Sequence, residues 1–78
     1  MAIVGFLVHT LPEETGRLET DIASMPEMTT YGIHQDCFIV AVAEAPREEL
    51  ECCFARVHEL KGVLATYVTS MTTEDELL

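Results

Sequence analysis

The side chains with the greatest chemical capacity in this chain are three histidines, His9, His34 and His58, and three cysteines, Cys37, Cys52 and Cys53. Histidine moves protons and binds metals near neutral pH, and a cysteine thiolate attacks electrophiles or ligates zinc. Their spacing supports none of these uses. The histidines fall on a strand end, a turn and a helix, and a strand-end histidine is more often a surface residue than a ligand. His34, Asp36 and Cys37 are close in sequence. Three mixed ligands on one tight hairpin are nevertheless poor geometry for tetrahedral zinc, and no second half of a site follows. There is no CxxC, and adjacent Cys52 and Cys53 cannot easily bridge each other inside a helix. Cys53 falls on an apolar helical stripe and Cys52 nearer its rim, with no basic neighbour that makes a reactive thiolate obvious. A glycine-rich phosphate loop, HExxH and GxSxG are all missing. The chain is expected to be no enzyme and to need no cofactor or metal.

Composition narrows the partners. The chain has 78 residues, which sets one domain as the expected count. It is 49% hydrophobic and 23% charged, a globular balance. Fourteen acidic residues against four basic ones give a formal net charge of −10. Phosphate and anionic membrane surfaces repel such a chain, so nucleic acid is not an expected partner. A basic partner would be steered toward it, although the same charge also serves plain solubility. The odd cysteine count argues for a reducing compartment. The opening "MAIVGFLVHT" has no basic flank or cleavage site and is too short to span a membrane. A cytoplasmic protein without stable membrane insertion is therefore expected.

The remaining residues fall into elements. Residues 2–9, "AIVGFLVH", form an apolar run suited to a central strand. Thr10 and Glu13 suggest a capping box with Pro12 in the first turn. Leu18, Ile22 and Met25 follow at helical spacing until Pro26. "MTTYGIH" (28–34) and "CFIVAVA" (37–43) read as strands joined at "QD". Pro46 opens a second helix with an apolar stripe of Leu50, Cys53, Phe54, Val57 and Leu60, and Gly62 suits its C-terminal cap. A strand follows from Val63. Residues 1–72 make the expected domain and 73–78 an acidic, mobile tail. The order βαββαβ predicts an α+β, ferredoxin-like split βαβ domain, with a four-stranded antiparallel sheet in the order 4-1-3-2 and both helices on one face. Ferredoxin-like metal carriers place a CxxC after the first strand. Here that loop reads "HTLPEE".

Such a sheet leaves one face uncovered. Assigned by bulk, Val4, Phe6, Val8, Phe38, Val40, Val42, Thr66 and Val68 go under the helices. The open face then holds Ile3, Gly5, Leu7, His9, Ile39, Ala41, Ala65, Tyr67 and Thr69. Tyr31 and Ile33 join it if the hairpin register allows, because a one-residue slip reverses their side. An apolar open face marks a partner site. One occupant is a second copy of the chain, face to face. Acidic residues cluster on the helices, Glu13, Glu14, Glu19 and Asp21 on the first and Glu48, Glu49 and Glu51 on the second. They form solvated surfaces or a field for a cationic peptide.

The complete order of these segments resembles the NapD-type assembly chaperones of periplasmic nitrate reductase, over about residues 2 to 73. The resemblance rests on "IVGFLV", a first helix closing on "MPEM", "FIVAV", and a second helix running into "LKGVLATYVTSM" before an acidic tail. "GVLA", Gly62 to Ala65, is its most telling piece. The hairpin at 34–37 is shorter than in some members. The resemblance implies a cytoplasmic chaperone that binds the twin-arginine signal peptide of a molybdenum-containing catalytic subunit and delays export until the cofactor is inserted. It also implies that this peptide lies as a helix against the sheet. Gly5, Leu7, His9, Tyr31, Ile39, Ala41, Ala65 and Tyr67 are the expected contacts. The alternative is a dimeric ferredoxin-like regulatory domain that binds a small molecule.

Overall fold

The computed structural model describes residues 2–73. Its elements are strand β1 (Ala2–Thr10), helix α1 (Thr15–Ala23), β2 (Met28–His34), β3 (Phe38–Ala45), helix α2 (Leu50–His58) and β4 (Val63–Thr73). Each helix is entered through a 3-10 turn, Pro12–Glu14 or Arg47–Glu49. The strands form one antiparallel sheet in the order β2-β3-β1-β4, the expected order read from its other edge. β4 includes Thr73, the first residue of the expected tail, and residues 74–78 lie outside the described residues.

The core lies between the helices and one sheet face. Val4, Phe6 and Val8 from β1 meet Leu18 and Ile22 of α1, and Leu50, Cys53 and Val57 of α2. Cross-strand pairing then fixes the parity of β3. Val8 faces Ile39, Phe6 faces Ala41, Val4 faces Ala43 and Ala2 faces Ala45, and directly opposed residues share a face. Ile39 and Ala41 are therefore core residues with no exposed surface, and the assignment of both to the open face is corrected. Phe38, Val40 and Val42 take the open face instead. Bulk misled because the sheet packs large against small. Phe6 fills the volume above Ala41 and meets Phe54 of α2 edge-on, with ring centroids 5.0 Å apart.

The turns place these elements. Pro26 occupies the second position of a turn closed by Met28 N donating to Met25 O. In the β2–β3 turn, Gln35 and Asp36 both have positive φ, 52° and 62°, and Cys37 N donates to His34 O. That conformation matches the twist of the flanking strands. Gly62, at φ 102°, sits third in a turn closed by Val63 N donating to Leu60 O, four residues past His58, the last residue of α2, which Glu59 caps. A Cβ there would stand 2.9 Å from Glu14 Cβ and 3.2 Å from Leu18 Cδ1, so only glycine lets this turn approach α1. Arg17 spans the approach, donating to Lys61 O at 2.7 Å while pairing with Glu14 and Asp21. Its hydrogen bond to Glu14 holds the guanidinium above its ordinary pKa. Arg56 pairs with Glu27 in the same layer.

The expected capping box does not form. Thr10 is the last residue of β1 and fully buried, and Leu11 caps the first turn without a side-chain bond. Thr10 Oγ1 lies 2.7 Å from Thr15 Oγ1, which donates to Asp36 O at 2.8 Å. Leu11 O is a second acceptor within reach of Thr15 Oγ1, at 3.1 Å, and Cys37 O lies 3.3 Å from Thr10 Oγ1. This buried pair fastens the β2–β3 turn to the start of α1.

Candidate functional site

The uncovered face of the sheet is built in rows by strand register. The row nearest the β2–β3 turn holds Ala65, His9, Phe38 and His34. His9 and Phe38 stack with ring centroids 4.7 Å apart and planes 16° from parallel. The next row holds Tyr67, Leu7 and Val40, and the one after it Ser70, Gly5, Val42 and Thr29. Thr72, Ile3 and Glu44 complete the last row. Ile3 and Tyr67 are exposed, and Leu7, His9, Phe38, Val40 and Val42 are half-buried against one another.

The sheet has three register shifts, one of them between His9 and Thr10 at the end of β1, and the other two shape this surface. Between Gly5 and Phe6 the register of β4 slips, leaving Thr69 as the extra residue. Thr69 and Ser70 then both crowd Gly5. A Cβ added at Gly5 would stand 2.7 Å from Ser70 Oγ and 3.1 Å from Thr69 Oγ1. Glycine is needed here to admit two hydroxyls onto the open face. In β2 the register slips between Thr30 and Ile33. Thr30 pairs with Ala41 on the helix side, so its neighbour Tyr31 points to the open side and is 67% exposed. Ile33 pairs with Ile39 and returns to the helix side. The bulge, not the hairpin alone, separates two residues that simple alternation would keep together.

Of the expected contacts, the structure thus gathers Gly5, Leu7, His9, Tyr31, Ala65 and Tyr67 on one face and puts Ile39 and Ala41 behind it. Thr66 lies on the helix side, as expected, where its Oγ1 is 2.7 Å from His58 Nε2 of α2. Sequence reasoning missed Phe38, Val40, Val42, Ser70 and Glu44. Glu44 carried the usable signal. β3 extends two residues beyond the expected end, and an acidic residue in a strand with one dry face must point outward. Counting back by twos from Glu44 puts Val42, Val40 and Phe38 on the open side.

The charges are unevenly divided. The expected acidic clusters lie on the helical elements, in the layer opposite the open face. The four basic residues, Arg17, Arg47, Arg56 and Lys61, belong to that layer and its turns as well. Among the described residues of the open-face rows, the one carboxylate is Glu44 and there is no Lys or Arg. Cys53 is buried, Cys52 is exposed and Cys37 is half-buried. Among the described residues no three His, Cys, Asp or Glu side chains converge to hold a metal ion. No helix there is long and apolar enough to cross a membrane, which says nothing about a β-barrel. What the face offers is contact area: apolar and aromatic over two rows, and hydroxyl-rich and acidic at one end.

The fold is similar to the solution structure of the E. coli Tat proofreading chaperone protein NapD. The TM-score is 0.80 at 20% sequence identity, over 95% of this chain and 80% of that one. At that identity the likeness carries the fold alone. No curated protein matches the chain. The family model described as NapD protein matches residues 1–75, which takes in all four strands, both helices and the whole uncovered face. The chain belongs to the NapD family.

Proposed function

We propose that this chain is a chaperone, not an enzyme, and that it binds a twin-arginine signal peptide on the open face of its sheet. The observation that carries the reading is the uncovered apolar surface around Leu7, Val40, Tyr67 and Phe38, on a face without Lys or Arg among the described residues. Apolar surface of this kind stays exposed in a soluble domain when something else covers it. A segment joining paired arginines to an apolar stretch complements both the face and the net charge of −10. Family membership and the E. coli protein, named as a Tat proofreading chaperone, support the same function. The cargo is the signal peptide of a molybdenum-containing nitrate reductase subunit, masked in the cytoplasm until the cofactor is in place. Release must follow, so the affinity is moderate.

Calorimetric titration of the chain with a synthetic peptide carrying adjacent arginines before an apolar stretch tests the reading. Binding is expected, and it should weaken as salt is raised because part of the attraction is screened. Leu7→Asp or Tyr67→Asp should abolish it in a chain that keeps its circular dichroism spectrum. Absence of heat and of any spectral shift at high micromolar peptide would overturn the function. Full affinity in the folded Leu7→Asp chain would overturn the docking face. The alternative, a regulatory domain dimerising through this same face, would show as a concentration-dependent mass in sedimentation that peptide does not reverse.

A further inference from the structure

The open face is not uniform along the strands. At one end lie Glu44 and Thr72 on either side of Ile3, followed by Val42 and by Ser70 and Thr69, whose hydroxyls crowd Gly5. At the other lie Phe38, His9 and Ala65, with Tyr67, Leu7 and Val40 between. A carboxylate and hydroxyls suit a guanidinium, which brings up to five donors and no acceptor. The stacked His9–Phe38 pair and its apolar neighbours suit an aliphatic segment.

We propose that the bound peptide has a fixed polarity, with its paired arginines over the Glu44–Thr72 end and its apolar stretch running along the strands toward Phe38 and His9. This inference rests on the signal-peptide reading above and adds the direction of the peptide. The sizes agree. Six residue steps separate Ile3 from His9, roughly 20 Å of strand. A helix of that length has about 13 residues, enough for an arginine pair and a short apolar stretch on one side. The reverse direction would set the arginines against His9, His34 and the Phe38 ring, away from Glu44, and lay aliphatic side chains on the hydroxyls of Thr69 and Ser70.

The test uses the full isotope-labelled chain and two versions of the same synthetic peptide, one with a nitroxide at its arginine end and one with it at its apolar end. The first should broaden the amides of Ile3, Glu44 and Thr72, and the second those of His9, Phe38 and Ala65. The reversed pattern, or equal broadening of both groups by either label, overturns the polarity while leaving the docking reading intact. Broadening confined to α1 and α2 overturns the docking reading itself. Because Glu44 is exposed, Glu44→Gln should fold normally and weaken binding about two- to fivefold, the size of one exposed ion pair. A peptide whose arginines are replaced by glutamine should lose nothing further from Glu44→Gln. Additive losses would overturn the pairing.

Discussion

Val40 and Ala41 are neighbours in β3, and aspartate at each should have opposite consequences. Ala41 has no exposed surface and lies against Phe6 under the helices. A carboxylate there loses its hydration without a partner, at a cost of several kcal/mol. A domain of this length has a total stability of about 4–12 kcal/mol. Ala41→Asp should therefore unfold the chain or leave it with a loose, non-cooperative transition. Val40 is half-buried on the open face beside Leu7. Val40→Asp forfeits about 1 kcal/mol of stability, since full burial of valine is worth about 1.5–3 kcal/mol and half is absent already. In the complex the same change removes about 1 kcal/mol of apolar contact. It also covers a carboxylate with aliphatic surface, adding about 2 kcal/mol more. The sum of about 3 kcal/mol is a hundredfold loss of affinity or more. Thermal melts followed by circular dichroism and titration with the twin-arginine peptide measure both arms. An Ala41→Asp chain that melts cooperatively at the parental midpoint would refute the assignment of faces, and a folded Val40→Asp chain that binds as well as the parent would refute docking on the open one.

Two further outcomes follow from the turns. Gly62→Ala places a methyl 2.9 Å from Glu14 Cβ at φ 102°. It should cost about 2 kcal/mol, lowering the melting midpoint by about 8–16 °C, and an unchanged midpoint would refute the close approach of this turn to α1. Gln35 adopts φ 52°, a strain of about 1–2 kcal/mol that glycine removes against an entropy cost of about 0.5–1 kcal/mol. Gln35→Gly should raise the midpoint by a few degrees, and a lower midpoint would show that the side chain contributes what the strain takes away.

Much of the fold was legible because its signals are local. Apolar runs, helical spacing and the punctuation by Pro26, Pro46 and Gly62 gave all six main elements, with β2 placed residue for residue. The strand order follows from the handedness of crossovers. The site was legible in part. β1 and β4 were sided correctly because Val4, Phe6 and Val8 outweigh Gly5, and Thr66 follows from their register. β3 was not, because bulk is a poor guide where small residues are needed under a helix. The bulges at Thr69 and Tyr31 leave no mark in an alternation pattern, yet they decide which side chains reach the face. The capping box failed for a related reason. Thr10 is committed to a buried hydroxyl pair with Thr15, a tertiary contact that no window of sequence around the helix start contains.

The parity of β3 also bears on why the face exists. Inside, this strand offers Ile39 and three alanines, Ala41, Ala43 and Ala45. Outside, it offers Phe38, Val40 and Val42. A chain selected only for its own stability would gain from the opposite arrangement, since each Val or Phe fully buried is worth about 1.5–3 kcal/mol over leaving it in water. The alanines do have a use in the core, where Phe6 and the helices occupy the space above them. Nothing in the core requires the outward residues to be large, and polar side chains such as Thr29 of the neighbouring strand would keep the sheet soluble. Glu44, one step along the same outward row of alternation, shows that the face accepts charge at its end. A small domain has little apolar area to spare. Placing three large apolar side chains of β3 on the wet side therefore makes sense as affinity held in reserve, which the docking proposed above would realise.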